Sequence, residues 1–138
     1  MEEHFKISDE DFETLFADGK LNPAIFSHEA HLRLAWIHIR KYGTDRAIEN
    51  IDKQLRNFVA LIGAGEKYNK TLTVAAIMAV SHFMKKRLVD NFTDFIHHHP
   101  RLKYNFRELI ASHYKKDIFN SSEAKKMYLE PDLLPFSG

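Results

Sequence analysis

The segment Ser27–Gly43, "SHEAHLRLAWIHIRKYG", sets His28, His31 and His38 among leucine, isoleucine and tryptophan. Imidazole titrates near neutral pH and is a common metal ligand. With each residue turning about 100° around a helix, His28, His31, Leu32, Ala35, His38, Ile39 and Tyr42 share one face. Glu29, Arg33 and Arg40 group on another. His28 and His31 are i, i+3 neighbours and can converge on one ion. Both fall in a first turn, where the helix dipole disfavours imidazolium and so favours the neutral, ligating ring. His38 lies about 10.5 Å further along the axis and cannot easily share that ion. The zinc-protease pattern His-Glu-x-x-His needs a second histidine where this chain has Leu32, so that motif is absent and Glu29 is set aside. A structural role competes throughout. Phe26 and His31 occupy the positions of a hydrophobic staple. His38 reads as a core histidine bonded to a carbonyl or carboxylate.

Other residues could join this pair. His82 shares a helix face with Thr71, Ala75 and Met78, and could bring a third ligand or a base to a pocket between the second and fourth helices. The alternative is a buried histidine with a hydrogen-bond partner. Lys67, Tyr68, Asn69, Lys70 and Thr71 put cationic and polar groups at a helix start, where anions bind; a capped start with solvated lysines is the plainer reading. The segment lacks the P-loop pattern. His97–His99 point in different directions on a helix, so they read as a helix end rather than a chelating tract.

Two segments carry a resemblance. "SHEAHLRLAW" with "KYNKTLT" and "EPDLLP" resembles a family of small bacterial all-helical proteins. The shared positions are His28, His31, Leu32, Arg33, Ala35 and Trp36, then Lys67, Tyr68, Thr71 and Thr73. Relatives often carry His where this chain has Asn69; if that His is a ligand, this chain has lost it or replaced it with a weak oxygen donor. The resemblance implies a helical fold and common motif positions, and no particular chemistry.

The elements that must position these groups read as helices. Ser8 caps a first helix that ends at Gly19, with Phe12, Leu15 and Phe16 on one stripe. Ser27 caps the second, which stops at Gly43. Thr44 reads as the cap of the third. The fourth runs roughly from Lys70 to Leu88 and begins apolar almost all round, as a central helix does. "NFTDFIHHH" is a short helix ended by Pro100, "NFRELIASHY" is another, and Ser121 or Ser122 caps a last turn. The tail holds Pro131 and Pro135; Leu133, Leu134 and Phe136 are expected to pack back on the bundle. No segment alternates as a strand does. The expectation is one all-α domain over 1–138: a bundle of four longer helices, short C-terminal helices and an extended tail.

Composition narrows the function classes. The chain of 138 residues has no cysteine, which removes disulfides, thiolate metal sites and cysteine nucleophiles. Residues 1–20 hold seven acids and two lysines, while the whole chain carries +1. That balance does not match the basic stripe of a nucleic-acid binder, and none is expected. An acidic start and apolar runs of nine residues at most give no signal peptide and no membrane partner, so a cytoplasmic protein is expected. The leading reading is a small-molecule-binding or metal-assisted acid–base or hydrolytic protein. His28, His31 and His82 would hold a divalent metal or line the pocket, and Arg33, Tyr68, Asn69 and Thr71 would contact the ligand. The alternative is a non-enzymatic helical module that binds a protein or small ligand, its histidines structural. A homo-oligomer is compatible with either.

Overall fold

Five of the eight α-helices among the described residues begin where a short polar side chain takes over an orphan backbone donor. The computed structural model describes residues 1–136, and every regular element among them is helical. Ser8, Ser27, Asn69, Asn91 and Ser121 each accept a backbone N–H from the first turn of the helix that follows. Those helices are α1 (Asp9–Ala17), α2 (His28–Tyr42), α4 (Lys70–Lys86), α5 (Phe92–His98) and α8 (Ser122–Lys126). α3 (Thr44–Leu61), α6 (Pro100–Tyr104) and α7 (Phe106–Ala111) start without a side-chain cap. No helix among the described residues is long and apolar enough to cross a membrane.

Several boundaries differ from the sequence reading: α4 stops at Lys86 rather than near Leu88, and α7 at Ala111 rather than Tyr114. Thr44 is the first residue of α3, and Gly43 occupies the cap position for both α2 and α3. Pro100 does not merely end a helix: it opens α6 at a position that needs no N–H donor. Gly43 has φ 86° and ψ 166°, backbone territory that is almost exclusively glycine's. Gly43→Ala is therefore expected to destabilise the protein by at least about 1 kcal/mol, read from urea midpoints. A midpoint equal to wild type would show that the corner relaxes without strain.

The chain forms two compact units, Met1–Tyr68 and Asn69–Gly138. In the first, α1, α2 and α3 pack on one another. Phe12, Phe16, Leu32, Leu34, Trp36, Ile51 and Phe58 are buried there. Each such side chain contributes about 1.5–3 kcal/mol by leaving water. Residues 29–38 of α2 are buried except His31. A helix covered on nearly every side has few places left for polar groups, so each one needs an account.

In the second unit, α8 lies against α4, and α5, α6 and α7 pack in succession. The face of α4 that carries Thr71, Met78 and His82 is covered by the C-terminal tail. Thr71 Oγ1 donates to the Met127 carbonyl at 2.8 Å and accepts from Leu129 N–H at 2.9 Å. The Tyr128 hydroxyl meets Met78 Sδ at 3.8 Å. His82 makes a backbone hydrogen bond with Phe136. Phe136 is buried as expected, stacked on His113 with centroids 4.0 Å apart. Leu133 and Leu134 are not buried; both stay exposed while their backbones bond to His113.

Candidate functional site

One polar cluster of the first unit lies at the start of α2. Ser27 stands at the centre. Its hydroxyl accepts Ala30 N–H and donates to the Glu2 carboxylate. Its carbonyl accepts the His31 Nδ1–H at 2.8 Å. A carbonyl can only accept, so that bond places the His31 proton on Nδ1 and leaves the Nε2 lone pair for another partner. The ring also stacks on Phe26, centroids 3.8 Å apart, as the hydrophobic staple predicts. Desolvation there pushes the His31 pKa down to about 4; the Ser27 carbonyl opposes the shift and the charge of His28 adds to it. The residue keeps an exposed edge, so water softens the shift without changing its sign. His28 is exposed beside it.

The helical wheel groups Glu29, Arg33 and Arg40 on one face. The structure buries the first two and leaves Arg40 exposed. Glu29 and Arg33 are each 4 % exposed, because the segment before α1 folds over them. Within it, a 3-10 turn over Glu3–Lys6 delivers His4 into the interior with no exposed surface. His4 Nε2 lies 2.8 Å from Glu29 Oε1 and 3.7 Å from Glu2 Oε1. Arg33 holds the same turn from its other side. Its Nη1 donates to the His4 carbonyl at 2.6 Å, and its Nη2 donates to the Ile7 carbonyl at 2.7 Å and to Asp9 at 2.8 Å. Its guanidinium rests over Phe12 at 4.8 Å. Arg33 Nη1 also reaches His4 Nδ1 at 3.4 Å. Guanidinium cannot accept, so this contact assigns the ring's proton to Nε2, which donates it to Glu29.

Glu2, His4 and Glu29 thus bring one ligand atom each to within 4.8 Å of one another, the one such group of three or more among the described residues. Bonds near 2.1 Å around a tetrahedral ion hold neighbouring ligand atoms about 3.4 Å apart. The separations of 2.8 and 3.7 Å fall on either side of that value. Counting formal charges, Glu2, Asp9 and Glu29 outweigh Arg33 by two. A divalent cation neutralises that excess.

The remaining sequence candidates lie elsewhere. Arg33 is a buried anchor. The Tyr68 hydroxyl donates to the Asp52 carboxylate, and Arg56 sits over the Tyr68 ring at 4.9 Å. Asn69 caps α4 and donates to the Ile118 carbonyl at 2.8 Å. Thr71 and His82 hold the tail. Burial pushes the His82 pKa down, and Lys86 adds to the shift. His38 is buried as expected but lacks the expected partner, since neither ring nitrogen has a hydrogen bond.

Sequence reasoning missed Glu2 and His4, and it removed Glu29. One signal was available. Glu29 and Arg33 are i, i+4 in the stretch Ala30–Ile37 and its flank, where Ala30, Leu32, Leu34, Ala35, Trp36 and Ile37 are apolar, and charges buried among such residues need partners. The acidic leader with its single histidine is where they come from. Compared with models of protein families, with curated proteins and with solved structures, the chain matches none.

Proposed function

We propose that the first unit binds a divalent metal ion through Glu2, His4 and Glu29, and that the ion supports acid–base or hydrolytic chemistry at the start of α2. The observation that carries this reading is the convergence of one imidazole and two carboxylates at ligand spacing, two of the three buried. Three protein ligands leave a coordination position for water or substrate, as catalytic zinc sites do. Mixed nitrogen and oxygen donors suit zinc, manganese or iron. His31, joined to Glu2 through Ser27, is the neighbouring acid–base group: it is neutral at pH 7, with Nε2 as its acceptor. His28 stands beside it.

One observation favours a second reading. The Arg33 contact keeps the His4 proton on Nε2, where an ion would bind, so the network also works as a metal-free clamp between leader and helix. An ion at Nε2 moves that proton to Nδ1 and loses the 3.4 Å contact, the longest in the network.

Calorimetric titration with Zn²⁺ and Mn²⁺, alongside elemental analysis of the purified protein, separates the two readings. The metal reading expects one ion per chain and affinity at least tenfold weaker in Glu29→Gln and in His4→Gln. At a hundredfold excess over its Kd the ion should add about 2.7 kcal/mol of stability. Wild type that binds no stoichiometric ion leaves the clamp reading standing.

A further inference from the structure

The second unit contains a cavity of about 250 Å³ between α7 and the segment after it. Its wall joins apolar surface from Ile110, Ile118 and Phe119 to the cations Arg107, Lys115 and Lys116. One carboxylate, Asp117, also lines it. That carboxylate is already committed: it accepts Asn120 Nδ2–H at 2.7 Å and Phe119 N–H at 3.0 Å. The Asn120 bond is the main cause that holds its pKa below the ordinary value, and Arg107 adds to it.

Arg107 is the informative residue. Its guanidinium lies 4.1 Å from the Phe119 ring centroid. Stacking fixes the plane of the guanidinium and leaves its N–H edge for a ligand. That edge has no hydrogen-bond partner among the described residues. Lys115 is exposed, and its main-chain N–H is held by Asp132 at 2.9 Å. Lys116 makes one long contact, 3.8 Å to the exposed Glu123, which is weak in water. The wall therefore presents a stacked guanidinium and two exposed ammonium groups beside an apolar floor.

We propose that this cavity binds a small phosphomonoester: a phosphate dianion carried on a compact apolar body. The lining carries three positive charges and one negative, and phosphate brings about −1.5 to −2 at pH 7. A guanidinium edge pairs with phosphate oxygens bidentately. The volume lies just under the roughly 300–1,000 Å³ of drug-sized sites, so the body is about one ring. Phe119 and Ala111 are the accessible apolar residues it covers, with Ile110 and Ile118 buried beneath them.

The test is an amide-resolved NMR titration of the full chain in EDTA, which makes its outcome independent of any metal. Phenyl phosphate, inorganic phosphate and phenol are the probes. Phenyl phosphate should shift amides of residues 107–119 saturably, at least tenfold more tightly than either of the others. Arg107→Gln should weaken it at least tenfold, and the Lys115→Gln, Lys116→Gln double variant, which alters only exposed lysines, should weaken it several-fold. Absence of saturable shifts overturns the proposal. So does phenol or inorganic phosphate binding as well as phenyl phosphate, or unchanged affinity in both variants.

Discussion

Arg33→Ala is expected to destabilise the first unit by about 3–5 kcal/mol, the range for breaking a buried ion pair. The guanidinium is 5 % exposed and makes charge-assisted bonds to the His4 carbonyl, the Ile7 carbonyl and Asp9. Asp9 is half exposed and can rehydrate, so the larger loss is at the two carbonyls. They belong to the turn that carries His4, and without Arg33 they are unpaired or the turn lifts off. Lifting off also uncovers Phe12, over which the guanidinium sits. A loss of this size lowers Tm by roughly 10–20 °C for a chain of this length. Arg33→Lys should recover little of it, because a single ammonium cannot reach two carbonyls and a carboxylate in one plane. Hydrogen exchange adds a local readout: amides of residues 4–7 should lose protection in Arg33→Ala before those of α3 do. A urea midpoint within 1 kcal/mol of wild type would contradict the burial and bonding of this side chain.

Sequence and structure part at the same place. Caps were legible because capping is local: Ser8, Ser27 and Ser121 each act within three residues. The buried character of α4 was legible because its apolar residues are contiguous. The role of the leader was not. Glu29 and His4 are 25 residues apart, and no periodicity connects a 3-10 turn to the helix it covers. The helical wheel sorted the residues of α2 into faces correctly. It does not say which part of a face a distant segment covers. Over residues 28–38 of α2 the exposed positions are His28 and His31, and Glu29 and Arg33 are inside with partners, while Arg40 and Lys41 at the helix end stay exposed. Thr71 and Asn69 were legible as polar groups at a helix start. That they serve the backbone of distant segments, Met127 and Ile118, was not.

His38→Leu is expected to stabilise the protein by about 2–3 kcal/mol at pH 7, against the ordinary direction of a core substitution. The side chain is 1 % exposed, and both ring nitrogens lack a hydrogen bond. Folding removes water from one donor and one acceptor and returns nothing, at about 1–3 kcal/mol for each buried unsatisfied group. Leucine has similar volume and no polar atom to strand. His38→Met, unbranched and more adaptable, separates shape from polarity: if leucine clashes, methionine should still stabilise. The effect should grow in acid. Burial holds the His38 pKa below its ordinary 6.5, with Glu13 working against the shift and Lys41 adding to it. A base whose folded pKa is depressed takes up its proton more readily when unfolded. Its contribution to stability is intact above pH 6.5 and is lost as pH falls through the folded value. Leucine carries no such linkage, so the gap between variant and wild type should widen as pH drops below 6.5. His31 remains in both proteins and has a shift of the same sign, which cancels in the comparison. Equal stability of wild type and both variants from pH 7 down to 5 would mean that the imidazole is satisfied after all.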